Sequence, residues 1–258
     1  MSFLDDIVSI GQDVGGFLGG NSIASTLVKI VGLGFIASQM NKSLANNNTS
    51  NTTPNIDLGV RLQIPPASDA KIPVLYGSAY WGGIITDAAM TNNNQTMSYC
   101  LTLSETTGIV KSTNQQTIYT FNDVYWNNNR VVFNDDGLTI DYTIDRDGNI
   151  DRSLNGLVKI HFYAKSSTQP ILPTGYSNPS APAAWAVMPT WGNDATYSMN
   201  ELLFAIVTVN YSRDKGVTGI GTLKFHVSST MYKPGDVLYD YMTNTRYGAG
   251  INSNEILV

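Results

Sequence analysis

Alternating oxygen-bearing side chains are the first place where this chain could do chemistry. Asp145-Arg146-Asp147-Gly148-Asn149-Ile150-Asp151 offers a ligand at every second residue, as a calcium-binding loop does. Such a loop sets its glycine at position 6, between a carboxylate at position 1 and a bidentate glutamate at position 12. With Gly148 at position 6, Thr143 falls at position 1 and Leu154 at position 12. Both are wrong for calcium, and the segment reads as a plain hairpin turn of the Asp-Gly kind.

Other reactive residue types are sparse. His161 and His226 are the only histidines, each inside an apolar strand pattern. Two imidazoles without identifiable carboxylate partners do not complete a zinc site. Cys100 is the single cysteine and lies in the apolar run Tyr99-Cys100-Leu101. It reads as a buried thiol, and its solitude excludes a disulfide framework and a cysteine-cluster metal site. Glu105 and Glu201 could serve as an acid pair, but nothing in the sequence places them together. No Gly-x-Ser-x-Gly, Walker loop or dinucleotide fingerprint is present. The expectation is no catalytic residue, no cofactor, no metal and no enzymatic activity.

The elements around these residues are those of a β protein. The 258 residues carry 42% hydrophobic and only 14% charged side chains, with a formal net charge of −5. The apolar fraction suffices for a core. The low charge is a liability for a free monomer and suits a chain that buries surface against copies of itself. The acidic balance argues against specific nucleic-acid recognition as the main task.

Three regions follow from composition. Residues 1–44 are apolar and Gly-rich, and they suggest two helical stripes. Phe3, Leu4, Ile7, Val8 and Ile10 form one; Ile23, Leu27, Ile30 and Val31 form the other. Leu27, Ile30 and Val31 are candidate subunit contacts. Packing on neighbouring subunits, plugging a channel or perforating a host membrane, and anchoring in a membrane are all open for this segment. The acidic start Asp5-Asp6 does not fit a secretory signal, and Lys29 interrupts the longest apolar run. Residues 45–57 are an Asn/Thr-rich linker. Residues 58–258 form a β-rich body of roughly ten period-2 strands, at the spacing of a barrel or sandwich.

Inside that body, residues 165–198 are a Pro/Trp-rich insertion. Tyr176, Trp185 and Trp191 are expected to pack on a neighbouring subunit. Near the end, Asp236 is placed to cap a short helix. Val237, Leu238, Tyr241 and Met242 would form its docked apolar face, and Gly248 would end it in a left-handed turn.

Three segments together resemble one family. Ile72-Pro73-Val74-Leu75-Tyr76-Gly77 followed by Gly82-Gly83 is similar to the opening of phage tail hub or tail-tip proteins of the lambda-like attachment type. Ser98 to Glu105, then Gly108-Ile109 and Ile118-Tyr119-Thr120-Phe121-Asn122-Asp123, resembles their second landmark. Leu238-Tyr239-Asp240-Tyr241-Met242-Thr243-Asn244-Thr245-Arg246-Tyr247-Gly248-Ala249-Gly250 resembles their third. The resemblance covers residues 60–258, with the insertion unmatched.

The resemblance implies a virion protein, made in the host cytoplasm, that forms a homotrimeric baseplate or tail-tip hub ring. Two related β-domains per subunit would meet the tail tube or distal tail protein. The ring would line the DNA exit path near the tape measure protein and anchor a spike or fibres. Tyr76, Gly77, Gly82, Gly83, Glu105, Asn122, Asp123, Tyr239, Asp240, Tyr241, Asn244, Arg246, Tyr247 and Gly248 are the structural landmarks carried over. Tyr241, Arg246 and Tyr247 are expected to hold the end of the body in place. Because family members continue past the third landmark, a second hub polypeptide is also expected. Two other readings stand beside this one: a receptor- or carbohydrate-binding tail module with Tyr176, Trp185, Trp191 and Tyr197 as stacking surface, and a membrane-penetrating tail protein acting through residues 1–44.

Overall fold

The computed structural model describes residues 71–256 apart from residue 169. The expectations for residues 1–44, with Leu27, Ile30 and Val31, and for the linker at 45–57 lie outside these residues.

Thirteen strands occur among the described residues. In chain order they are β1 (Ser78–Trp81), β2 (Ile84–Thr91), β3 (Thr96–Glu105), β4 (Ile109–Val110), β5 (Gln115–Gln116), β6 (Tyr119–Trp126) and β7 (Asn129–Phe133). Then come β8 (Ile140–Ile144), β9 (Ile150–Asp151), β10 (Val158–Ala164), β11 (Pro170–Ile171), β12 (Leu202–Asn210) and β13 (Leu223–Ser229). A short helix α1 (Ala184–Val187) lies in the insertion, and α2 (Pro234–Thr243) follows the last strand.

The strands form two open antiparallel sheets and a small β4–β5 hairpin. One sheet runs β1-β13-β6-β7-β8-β9 and the other β11-β10-β12-β3-β2. Neither closes on itself, so the barrel alternative is set aside. The sheets meet across a phenylalanine core. Phe162 of β10 lies 4.7 Å from Phe121, 5.9 Å from Phe133 and 6.2 Å from Phe225, all three from the opposite sheet. The tilted and edge-on geometry of these rings is the arrangement aromatic quadrupoles prefer. Both sheets lie in one compact unit instead of dividing into two β-domains.

Sequence periodicity and its exceptions both have physical causes. β13 alternates buried Leu223, Phe225, Val227 and Ser229 with partly exposed Lys224, His226 and Ser228, so one face is core and the other outward. β3 and β12 are buried almost throughout. They are central strands, and the insertion covers their second face. Trp191, Met188 and Ala184 pack there with Tyr163, Phe204, Ile206 and Cys100.

Gly82-Gly83 does not bend one strand but carries the chain from one sheet to the other, β1 to β2. Gly83 sits at φ +78°, and a Cβ there would meet Leu103 at 2.7 Å, so only glycine fits. Ahead of β1, Val74 makes a single bridge to Glu105. β6 runs on to Trp126 because Asn127 and Asn128, at φ 50° and 70°, make a two-residue hairpin turn into β7.

Candidate functional site

The short helix α2 is docked by carboxylates, not by an apolar face. Pro234 opens it, with Lys233 as the capping residue, so Asp236 is not the N-cap. Asp236 and Asp240 are four residues apart and therefore share a face. Both are buried, whereas Leu238 is 59% and Tyr241 52% exposed. The expected docking of Leu238 and Tyr241 is thus inverted.

The reason is a set of donors waiting on the body. Asp236 accepts from Ser112 N at 2.7 Å and from Ser112 Oγ at 2.6 Å. The hydroxyl bond holds its carboxyl below the ordinary range. Asp240 Oδ2 accepts from Tyr76 Oη at 2.8 Å and from Tyr247 Oη at 2.6 Å. Its Oδ1 accepts from Gly108 N at 3.3 Å. Behind this lies a buried layer in which Tyr119 Oη accepts from Thr107 N at 2.7 Å. Burial, reinforced by the bond to Asp240, pushes the Tyr76 and Tyr247 hydroxyls well above the ordinary tyrosine value.

The chain leaving α2 is pinned to the same place. Asn244 Oδ1 accepts from the N–H groups of Arg246 and Tyr247 at 2.8 and 3.2 Å. Arg246 then forms an ion pair with Glu105. Burial raises the Glu105 carboxyl; Arg246 opposes that and Glu201 adds to it. Glu105 and Glu201 are therefore neighbours after all, bridged by Thr106, whose N–H reaches the Glu201 carbonyl at 2.8 Å and whose Oγ1 reaches its Oε2 at 3.1 Å. Gly248 is not left-handed. It is required because a Cβ there would lie 2.0 Å from the Tyr241 carbonyl oxygen. That approach lets Ala249 N bond the same carbonyl at 2.9 Å. The positive φ of 66° falls at Gly250.

Five landmark residues thus converge: Tyr76, Glu105, Asp240, Arg246 and Tyr247. Gly77 turns the chain beside them, its N–H bonding the Met231 carbonyl at 2.9 Å. Tyr239 carries Lys111 over its ring at 4.8 Å. A cleft of about 620 Å³ opens here between α2 and the β4–β5 hairpin, lined by Ile109, Lys111, Asn114, Thr245 and Arg246 among others. Tyr241 does not join the node through its side chain. Asn122 and Asp123 stand apart, on the outward side of β6, where Asn122 Nδ2 donates to Ser228 Oγ at 2.6 Å. Ser112, Thr107 and Gly108 were missed as partners. The one available signal was the four-residue spacing of Asp236 and Asp240.

The insertion residues turn inward. Trp191 is 5% exposed, stacks on Tyr197 at 5.5 Å and donates from Nε1 to Asp87 Oδ2 at 2.9 Å. Tyr176 sits edge-on to Phe133 at 5.8 Å, and its hydroxyl bonds that residue's N–H and carbonyl. Trp185 packs against the Trp191 cluster, with its indole N–H buried and unpartnered. Trp191 is therefore core to its own chain, and Tyr176 is a partly buried internal anchor.

No group of three or more His, Cys, Asp or Glu is assembled for a metal among the described residues. Asp145 uses its carboxylate on its own turn, accepting from Asp147 N at 2.9 Å and Asn149 N at 2.8 Å. Burial pushes the Cys100 thiol up to about 12 and the His161 imidazole down to about 4. Neither group is charged at neutral pH. None of the described helices is long and apolar enough to cross a membrane.

No protein-family model matches the chain. No curated protein matches it either.

Proposed function

We propose that this chain is a structural subunit of a bacteriophage tail tip, forming the hub ring between the tail tube or distal tail protein and the spike or fibres. One observation carries the reading. The first and third of the segments that resemble tail hub proteins, far apart in sequence, meet at Asp240 through the hydroxyls of Tyr76 and Tyr247, and the second joins them through the Glu105–Arg246 ion pair and the Gly108 N–H. Together they build one joint beside α2.

A second feature fits a ring subunit. Ile109, Ile118, Tyr232, Leu238 and Tyr241 are 48 to 64% exposed and belong to α2 or to the segments around its start and the β4–β5 hairpin. Large apolar side chains in such number suit a subunit contact. In this reading the partners are two further copies, the distal tail or tube protein, the tape measure protein and spike or fibre proteins. The test is the copy number and position of the chain in purified particles. Three copies in a ring at the tail end are expected. A chain absent from particles overturns the proposal.

A further inference from the structure

The outer face of the six-stranded sheet brings together three side chains that the hub reading does not use. Ser78, His226 and Asp123 come from the neighbouring strands β1, β13 and β6. Register sets Tyr80 opposite His226, and His226 opposite Asp123. The alternation that buries Phe225 and Val227 turns His226 outward. Ser78 Oγ lies 3.0 Å from His226 Nε2, and Asp123 Oδ2 lies 3.6 Å from His226 Nδ1. Tyr80 stacks on the imidazole at 4.4 Å and 12°, which fixes the ring plane.

A chain of hydrogen bonds leads to Ser78. Asn122 Nδ2 can only donate, and it donates to Ser228 Oγ at 2.6 Å. Ser228 Oγ then donates to Ser78 Oγ at 3.4 Å. In the tautomer that leaves Nε2 bare, Ser78 Oγ donates to Nε2, and the Nδ1–H, which has no hydrogen-bond partner, faces Asp123 at 3.6 Å. That is the tautomer a serine nucleophile needs.

Two further features belong to β1. It is an edge strand. Ser229 N donates to the Gly77 carbonyl at 2.7 Å, which makes that pair hydrogen-bonded. By the alternation of an antiparallel ladder, the next pair, Ser78 with Ser228, is not, and the Ser78 N–H points to the open edge. It is free to receive an oxyanion formed beside Ser78 Oγ.

We propose that Ser78, His226 and Asp123 form a nucleophilic site for carboxylic esters. Ser78 Oγ attacks the ester carbonyl carbon while His226 Nε2 takes its proton, and the carbonyl electron pair moves to oxygen. Collapse breaks the acyl–alkoxy bond, and the leaving oxygen takes the proton from Nε2. Water then gives a proton to Nε2 and attacks the acyl-serine. When the second intermediate collapses, Ser78 leaves and takes that proton back. The balance is ester plus water to acid plus alcohol. Asp123 is a positioning residue.

The full chain is treated with a fluorophosphonate probe and, separately, with p-nitrophenyl butyrate. One label per chain is expected, on the peptide holding Ser78, with a burst of nitrophenol in the ester reaction. Ser78→Ala, at an exposed position, is expected to melt like the parent and to lose both. His226→Gln is expected to slow labelling by about 100-fold or more. Asp123→Asn is expected to lower kcat with KM unchanged. No label, a label elsewhere, or ester hydrolysis that survives Ser78→Ala overturns the proposal.

Discussion

Tyr247 donates its hydroxyl to Asp240 Oδ2 at 2.6 Å, seven residues back along its own chain. The same oxygen takes the hydroxyl of Tyr76, 164 residues earlier. A buried carboxylate that collects two phenols and a backbone N–H does the work usually left to an apolar stripe. Asp240→Asn removes the charge and turns one acceptor into a donor. A loss of about 3 kcal/mol is expected, the scale of hydrogen bonds to a charged group. Urea unfolding measures it. A loss below about 1 kcal/mol means that α2 is held by something else.

The two phenols predict an alkaline limit. Tyr76 and Tyr247 have hydroxyls raised above the ordinary 10.0. The fold keeps their protons where the unfolded chain releases them. Their contribution is therefore complete below pH of about 10 and is lost as pH rises further, toward their folded values. The urea midpoint should fall between pH 9 and 11, and a Tyr76→Phe/Tyr247→Phe variant should show a flatter fall. Equal slopes in parent and variant contradict this.

Glu105 and Arg246 predict an asymmetry. Arg246→Ala leaves a carboxylate that is only 13% exposed without its cation, whereas Glu105→Gln leaves a guanidinium that is 43% exposed. Breaking a pair costs most when the stranded charge is the buried one. Arg246→Ala should therefore destabilise more than Glu105→Gln. Burial already raises the Glu105 carboxyl, and losing Arg246 raises it further. A carboxyl raised in the fold contributes stability at low pH that is lost as pH rises. The deficit of Arg246→Ala should accordingly shrink toward pH 4. A deficit independent of pH speaks against this pairing.

Gly248 tests the close approach of the chain to the end of α2. Gly248→Ala puts a methyl group 2.0 Å from the Tyr241 carbonyl oxygen. A cost of about 3 kcal/mol is expected, with the backbone forced aside. Gly148→Ala is the control, because nothing lies within 4 Å of its Cβ and only its φ of 86° is strained. It should cost about 1 to 2 kcal/mol. Equal costs at the two sites show that crowding at Gly248 is relieved without loss.

Much of the β architecture was legible because one face of most strands is core. Phe225 and Val227 alternating with His226 announce β13 and its outward residues. The turn at Asn127-Asn128 was not, because asparagine in the left-handed region gives a weaker signal than Asn-Gly. The helix after Lys233 was legible as a helix, but its orientation was not. Leu238 and Tyr241 look like a docking face until Ser112, Tyr76 and Gly108 are known to wait for Asp236 and Asp240. Such partners lie more than a hundred residues away, and no local pattern names them. The serine–histidine–aspartate grouping was hidden for the same reason, since cross-strand register alone brings it together. Trp191 misled in the opposite way: a tryptophan in a Pro-rich insertion looks like an exposed anchor, yet Asp87 holds its indole against Phe204 and Tyr163.

The hub reading is tested most directly by native mass spectrometry of the assembly released from purified phage particles. It predicts a species of three copies of this 28.0 kDa chain, retained when the particles are imaged as a ring at the tail end. A monomer in solution that is missing from the particles contradicts it.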